Sequence, residues 1–253
     1  VGKTFFVLSL AISLATGREF LGSTPTERCK VVWYDGEMAT NQFKERLQLL
    51  TKGLTNLEKA YLDENLRLVL TAEQPMGMPD LGNPLNYDYY DHWLQGVKVI
   101  IFDNLLSLST TPLNDNDAWA DFNQWCVSLR NKGVTVLHVH HSGRGSSNHA
   151  MGAKRIEQPL DLIVGLKPPK EHDVSQGCDF NIEFKKSRRM IGDSGKPFRA
   201  KLTEEGWQRL EFAPEHDYIA LRQEYGSVRK IAEATGESKS TVQRKLAELG
   251  VPN

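Results

Sequence analysis

Val1-Gly2-Lys3-Thr4 opens the chain and runs directly into an apolar helical pattern at residues 5–14. Gly-Lys-Thr at the start of a helix is the second half of the phosphate-binding loop G-x-x-x-x-G-K-S/T. In that loop the backbone N–H groups hold a nucleotide's phosphates, the Lys reaches the β- and γ-phosphates, and the hydroxyl ligates Mg²⁺. The first half of the motif and an initiator Met are absent, so we expect a fragment whose first strand and loop start lie upstream.

Composition restricts the class of protein. With 253 residues, 40% of them hydrophobic and 25% charged, the chain can bury one large core and a small appendage. The net charge of -1 argues against a globally basic nucleic-acid coat, although a local basic face is still possible. Cys29, Cys126 and Cys178 are odd in number and widely spaced, which favours reduced thiols over disulfides or a Cys-based zinc site. No apolar run could span a bilayer, so we expect a cytoplasmic protein without a membrane partner.

Strand and helix patterns alternate through residue 140. The strand patterns lie at residues 30–35, 66–70, 97–103 and 134–139. The helix patterns lie at residues 3–15, 40–50, 87–94 and 117–132. Thr40 is a possible cap of the second helix. The pattern at 97–103 is apolar almost throughout, as expected of a central parallel strand covered on both faces. Polar residues follow the strand ends, which indicates a doubly wound α/β domain with its ligand at those ends.

The pattern changes after residue 160. Shorter strands at residues 161–166, 179–185, 198–202 and 207–212 predict a hairpin-rich edge to the sheet. Ala213-Pro214-Glu215 then marks a boundary, and residues 217–249 are helical in character. We therefore predict two domains, an ATPase-type α/β domain at residues 1–212 and a small all-α domain at residues 213–253.

Two acidic residues follow buried strands and complete the chemistry that a phosphate loop requires. Asp103 is placed to hold Mg²⁺ in the Walker-B role, and a turn-capping role is equally compatible with it. Glu37 is placed to orient and deprotonate a water at the γ-phosphate, and alternatively it is a first-turn Glu favoured by the helix dipole. The catalytic interpretation gains weight because both residues occur, in the right order, after Gly-Lys-Thr.

Five segments of the chain are similar in order to the motifs of one enzyme family. They are residues 34–39 (YDGEMA), 99–106 (VIIFDNLL), 137–145 (LHVHHSGRG), 151–164 (MGAKRIEQPLDLIV) and 185–189 (KKSRR). In these segments the chain resembles the RecA-like P-loop ATPases, specifically the DnaB-type and RepA-type hexameric helicase branch. The resemblance covers about residues 1–212. Met151 stands where that family usually has Arg, so the role of that Arg has no counterpart here.

The resemblance implies roles for individual residues. Glu37 would be the catalytic base and His141 the γ-phosphate sensor, with His140 as the near alternative. Arg188 would be an arginine finger that enters the neighbouring subunit's ATP site, with Lys186 as its partner. Gly2, Lys3, Thr4 and Asp103 would bind ATP, and Thr4 and Asp103 would ligate Mg²⁺.

Two alternatives compete with these roles. The basic run at 185–189 could instead be an exposed strand edge that discourages aggregation. His138, His140, His141 and His149 could form a zinc site, but no nearby carboxylate completes a recognisable ligand spacing.

The last segment carries a second signal. Ser227 and Ser238 precede two helical patterns joined through Gly236, in the I-A-x-x-T-G-x-S-x-x-T-V arrangement that resembles replication- or transcription-type helix-turn-helix domains. A small bundle that mediates protein contacts is the alternative. The second helix offers residues suited to phosphate and base-edge contacts, and we predict that DNA is bound by Lys239, Ser240, Thr241, Gln243, Arg244 and Lys245.

The motifs and the resemblance together predict ATP hydrolysis coupled to DNA translocation or unwinding. The protein would be a plasmid- or phage-type replicative helicase, or a related DNA replication or repair ATPase, encoded by a mobile genetic element. DNA would be its partner, and the resemblance implies a homo-oligomeric ring, a hexamer in this branch. The alternative is an ATP-dependent DNA-binding regulator whose ATPase domain acts as an assembly switch. A third hypothesis, left open by the missing half of the phosphate loop, is a chain without ATPase activity.

Overall fold

A computed structural model describes residues 2–111, 119–140, 154–169, 177–190, 192–212 and 216–251. Within these ranges, four parallel strands form one sheet in the order β2-β1-β3-β4. Their bounds are β1 Lys30–Asp35, β2 Leu66–Leu70, β3 Val97–Asp103 and β4 Thr135–His138. After a register shift between Lys30 and Val31, β1 pairs residue by residue with β3, so that Asp35 at the end of β1 lies opposite Asp103 at the end of β3. The predicted parallel α/β sheet is confirmed.

Helices cover both faces of this sheet. The bounds are α1 Lys3–Thr16, α2 Thr40–Thr51, α3 Asn56–Asn65, α4 Tyr87–Asp91, α5 Leu105–Leu108 and α6 Ala120–Asn131. Val32, Tyr34 and Phe102 point into one core with α4, α5 and α6. Trp33 and Ile101 point into the other core, which α1, α2 and α3 close. Because alternate residues of a strand face opposite sides, buried strands of this kind are apolar on both faces.

A second sheet is antiparallel, in the order β5-β6-β7-β8, and it is separate from the first among the described residues, so the prediction of a hairpin-rich edge to the parallel sheet was wrong. Its bounds are β5 Leu162–Lys167, β6 Asp179–Ser187, β7 Phe198–Thr203 and β8 Gly206–Leu210, and the one-turn helix α7 Lys154–Glu157 precedes it. One face of this sheet packs on α1 through Phe180 and Trp207, which meet Phe6 in edge-to-face contacts at 5.9 Å. The sheet therefore holds the start of α1 in place.

Several predicted boundaries were wrong by a few residues. Ala39, not Thr40, is the N-cap residue of α2, and it makes no side-chain cap bond. Helix α4 ends at Asp91 rather than at residue 94, and β4 is shorter than the predicted 134–139. Three helices of the described chain were not predicted, namely α3, α5 and α7. Short 3₁₀ turns also form at Thr71–Glu73, Pro84–Asn86 and Gly192–Gly195.

Three helices close the chain around a core of their own, which includes Tyr218, Ile231 and Leu246. They are α8 Tyr218–Tyr225, α9 Val228–Thr235 and α10 Lys239–Glu248. The predicted caps are present, because Ser227 accepts from the backbone of Lys230 and Ser238 from that of Thr241. The predicted boundary at 213–215 lies outside the described residues. In the part of the chain that the structure describes, no helix has both the length and the apolar character needed to cross a membrane.

Candidate nucleotide site

The start of α1 is fixed by close packing. Gly2 has a φ of +102°, a conformation that side chains rarely adopt, and it serves as the N-cap of the helix. A Cβ atom at Gly2 would lie 2.9 Å from Cε1 of Phe180 and 3.0 Å from Sγ of Cys178. Only glycine fits here. Its close packing against Phe180 and Cys178 fixes the position of the first turn of α1, which carries Lys3, Thr4 and the free backbone N–H groups of the helix start.

Asp103 lies buried at the end of β3, next to this helix start. Its pKa is raised to about 6: burial is the largest cause and the nearby carboxylates of Asp35 and Glu37 add to it, whereas a hydrogen bond from Thr4 and the charge of Lys3 act in the opposite direction. Its Oδ2 atom is buried and has no hydrogen-bond partner among the described residues. A buried, unpartnered carboxylate oxygen is costly unless a ligand satisfies it. The structure thus brings together Lys3, Thr4 and Asp103, as the sequence predicted.

Asp35 is part of the same cluster and was not predicted. It is 1% exposed, and its Oδ1 accepts hydrogen bonds from the backbone N–H groups of Glu37 at 3.1 Å and Met38 at 2.7 Å. Burial raises the pKa of its carboxyl group, and the two backbone hydrogen bonds act in the opposite direction. Asp35 therefore shapes the turn that presents Glu37. The Asp-Gly pair that follows an apolar strand is a turn signal that could have revealed this role.

Glu37 is exposed at the tip of this turn. Its Oε2 accepts a hydrogen bond of 2.6 Å from Nδ2 of Asn104, which is itself 3% exposed. The Glu37 side chain is therefore solvent-exposed and lies near the buried Asp103, and one of its carboxylate oxygens is fixed by a hydrogen bond. A base that must accept a proton from water needs this combination of access and fixed orientation.

His138, the last residue of β4, and His140 line a cavity of about 930 Å³. Lys3 also lines this cavity, together with residues of β4 and β5. Burial, with a contribution from His140, lowers the pKa of His138 to about 4, so His138 is neutral at physiological pH. His141, the predicted sensor, lies outside the described residues.

Residues 1–147 match the family described as AAA domain. The chain belongs to the AAA domain family. No curated protein matches it significantly in sequence.

Two solved structures share the fold of this AAA domain protein. A crystal structure of the RadB recombinase matches with a TM-score of 0.51 and 14% identity, over 83% of this chain and 87% of the other. A KaiC-like protein from the archaeon Pyrococcus horikoshii OT3 matches with a TM-score of 0.53 and 13% identity, over 82% and 85%. At such identities the similarity concerns the fold alone. The α/β fold with its parallel central sheet fits the predicted RecA-like domain, and the DnaB-type branch remains a prediction.

Mg²⁺ fits the donor set of this AAA domain. Mg²⁺ prefers oxygen ligands and is usually held by one or two protein groups, waters and phosphate oxygens. Thr4 supplies a hydroxyl and Asp103 an unpartnered carboxylate oxygen at the end of β3. Among the described residues no group of three or more His, Cys, Asp and Glu side chains is arranged to hold a metal ion by itself. The site therefore suits a metal that arrives with a nucleotide.

The predicted finger residues are held by a segment of their own chain. Nη1 of Arg188 lies 3.0 Å from Oδ1 of Asp161, whose Oδ2 lies 3.2 Å from Arg130. Nζ of Lys186 donates to the backbone carbonyl groups of Glu157 and Gln158, both at 2.9 Å. Arg188 and Lys186 are thus engaged with residues 157–161, and in the part of the chain that the structure describes neither side chain hydrogen-bonds to Asp103 or Glu37.

The predicted DNA contacts on α10 divide into two groups. Lys239, Ser240, Gln243 and Arg244 are exposed, and Thr241 is half-buried. Lys245 differs, because its Nζ donates to the hydroxyl of Tyr218 and to Oε1 of Glu237, both at 2.7 Å. Lys245 therefore connects α10 to the rest of the three-helix core, and the prediction of DNA contact rests on the other five residues.

Proposed function

We propose that this AAA domain protein hydrolyses ATP and couples the hydrolysis to movement on DNA or its unwinding. One observation carries the proposal: Thr4, Lys3, Asp35 and Glu37 surround Asp103, whose buried Oδ2 has no partner among the described residues. The match of residues 1–147 to the AAA domain family supports nucleotide binding. The parent enzyme would be a replicative helicase of plasmid or phage type, or a related replication or repair ATPase.

Each residue has a role in the proposed reaction. The N-terminus of α1 and the Lys3 ammonium bind the phosphates, and Thr4 and Asp103 hold Mg²⁺. When bound, Mg²⁺ neutralises charge on the β- and γ-phosphates. Glu37 orients a water and takes its proton while the water oxygen attacks the γ-phosphorus, and the products are ADP and inorganic phosphate. His141, or else His140, senses the γ-phosphate.

The remaining roles involve other molecules. Arg188, with Lys186, acts on the ATP of a neighbouring subunit in a ring, which would be a hexamer. Residues 1–212 form the ATPase domain, and residues 213–253 form a helix-turn-helix domain that binds DNA through the exposed side of α10. The similarity of the fold to that of the RadB recombinase is in keeping with a role on DNA.

Glu37→Gln tests the proposal most directly. Gln keeps the shape of the side chain but cannot accept a proton, so we expect ATP turnover to fall at least 100-fold with ATP affinity retained. The measurements are phosphate release and equilibrium binding of a fluorescent ATP analogue, with and without single-stranded DNA. Turnover that survives Glu37→Gln would contradict the assignment of the base.

The alternative proposal is a DNA-binding regulator in which ATP controls assembly. The capped helices α9 and α10, with several polar residues exposed on α10, are the observation that favours it. Turnover that single-stranded DNA stimulates would favour the helicase. Duplex-specific binding without stimulation would favour the regulator.

A further inference from the structure

Among the described residues, only Asn104 donates a hydrogen bond to the carboxylate of Glu37. The hydrogen bond from its Nδ2 to Oε2 of Glu37 is 2.6 Å long and joins the ends of two neighbouring strands, β3 and β1. A hydrogen bond to an ionised acceptor is shorter and stronger than one between neutral groups. One oxygen of Glu37 is therefore held, whereas the other has no hydrogen-bond partner among the described residues of this exposed turn.

The amide of Asn104 is itself held firmly. The residue is 3% exposed, and its Oδ1 accepts from the backbone N–H of Ser107 at 3.1 Å as the N-cap of α5. The backbone N–H of Leu105 also donates to the carbonyl group of Val139, at 3.3 Å. Because Oδ1 is the acceptor for α5, the amide cannot rotate without losing that cap, and Nδ2 must point towards Glu37.

The turn that carries Glu37 also packs directly on α5. A Cβ atom at Gly36 would lie 2.8 Å from Cβ of Ser107 and 2.9 Å from Cγ of Leu108. The backbone N–H of Gly36 donates to the carbonyl group of Asp103 at 2.9 Å. Any displacement of α5 therefore moves the turn and the amide of Asn104 together.

We propose that Asn104 is the positioning residue of the general base: its amide fixes the Glu37 carboxylate, and α5 fixes the amide. The inference rests on the proposed ATPase function. Asn104 takes no part in proton transfer. It holds one orientation of the carboxylate, so that the free oxygen of Glu37 stays directed at the attacking water. The same connection makes the activity of Glu37 sensitive to the position of α5.

Two substitutions separate this role from helix capping. Asn104→Asp keeps an oxygen that caps α5 as well as Asn does, but it removes the donor to Glu37. Asn104→Ala removes both. We expect both variants to lower kcat for ATP hydrolysis 10- to 100-fold with KM for ATP within threefold of wild type, since small misplacements of a catalytic group cost this much. If Asn104→Asp keeps wild-type kcat, Asn104 acts as a cap only and the proposal is wrong.

A matched control and a second measurement complete the test. Asn83 caps a 3₁₀ turn by accepting from Leu85 at 3.1 Å, so Asn83→Asp makes the same chemical change away from Glu37 and should keep full turnover. In thermal unfolding, Asn104→Asp should lower Tm through repulsion between two carboxylates. The double variant E37Q/N104D reverses donor and acceptor and should regain most of that loss.

The possible outcomes are distinct. Additive effects of the two substitutions on Tm would show that the contact does not form in solution and would overturn the inference, whatever the turnover. If the wild-type chain has no ATP turnover, the proposed function fails and the role of Asn104 fails with it. Turnover in wild type that Asn104→Asp leaves unchanged overturns the role of Asn104 alone.

Discussion

Ionising Asp103 in the ligand-free protein is unfavourable, because its carboxyl group is buried beside Asp35 and Glu37. Its folded-state pKa of about 6 lies above the unfolded value of 3.8. For a carboxyl group raised in this way, the contribution to stability is fully present below the unfolded pKa and is lost as the pH rises through the folded pKa. As the pH rises from the unfolded pKa through the folded pKa, the free energy of unfolding falls by on the order of 3 kcal/mol.

Asp103→Asn should therefore stabilise the ligand-free protein at pH 8 by on the order of 3 kcal/mol, and the gain should vanish near pH 4. The check is urea unfolding of both proteins across this pH range. ATP with Mg²⁺ should raise the Tm of wild type but not that of the variant, since a ligand stabilises only the state that binds it. An equal response of the two proteins to Mg²⁺ would remove Asp103 from the metal site.

The convergence of Thr4, Glu37 and Asp103 could be predicted from sequence, since each follows a recognisable strand or opens a helix. Asp35 and Asn104 could not be predicted in the same way. Their partners depend on the register of β1 against β3, which sets Asp35 opposite Asp103 and brings Asn104 to Glu37. A sequence pattern gives the end of each strand but does not say which strand lies beside it.

Helix α10 combines two kinds of basic residue that look alike in sequence. Lys245 donates hydrogen bonds to Tyr218 and Glu237 and so connects α10 to the other two helices, whereas Lys239 is exposed at the start of α10. Lys245→Ala should destabilise these helices by about 1.5–3 kcal/mol, because charged hydrogen bonds are lost and Glu237 is left without its cation. Lys239→Ala should leave stability unchanged and weaken DNA binding.

These two variants are compared by thermal unfolding and by fluorescence anisotropy with labelled DNA. If DNA is bound through phosphates, Lys239→Ala should also make the affinity less dependent on salt. Weakened DNA binding by Lys245→Ala without loss of stability would show that the lysine leaves the core to contact DNA. Equal DNA binding by wild type and Lys239→Ala would favour a role for α10 in protein contacts.

The elements that were missed have little apolar periodicity. Helix α3 starts with a capping box between Thr55 and Glu58, and Leu62 is its one buried residue. Helix α5 is a single turn of four residues, too short for any periodic signal. The caps at Ser227 and Ser238 and the turn at Gly236 were predicted correctly, because Ser at a helix start and Gly at a helix end have specific backbone roles.

Arg188 is paired with Asp161 of its own chain, so the proposed role in trans requires it to leave this ion pair. Both side chains are almost half exposed, at 49% and 41%. An exposed ion pair contributes about 1 kcal/mol at most, so a neighbouring subunit's nucleotide could displace Asp161 readily. Asp161→Asn should therefore raise turnover by no more than about fivefold at subsaturating ATP.

Mixing experiments decide whether Arg188 acts between subunits. Arg188→Ala and Glu37→Gln should each be inactive alone. In a mixed ring, however, some interfaces combine the intact Glu37 of one subunit with the intact Arg188 of its neighbour. Phosphate release should therefore reappear on mixing and be greatest near equal amounts. If Arg188 acted within its own chain, every subunit would lack one residue and no ratio would restore turnover. Asp161→Asn in the Glu37→Gln partner should then increase the rescue, because it frees the arginine that is supplied across the interface.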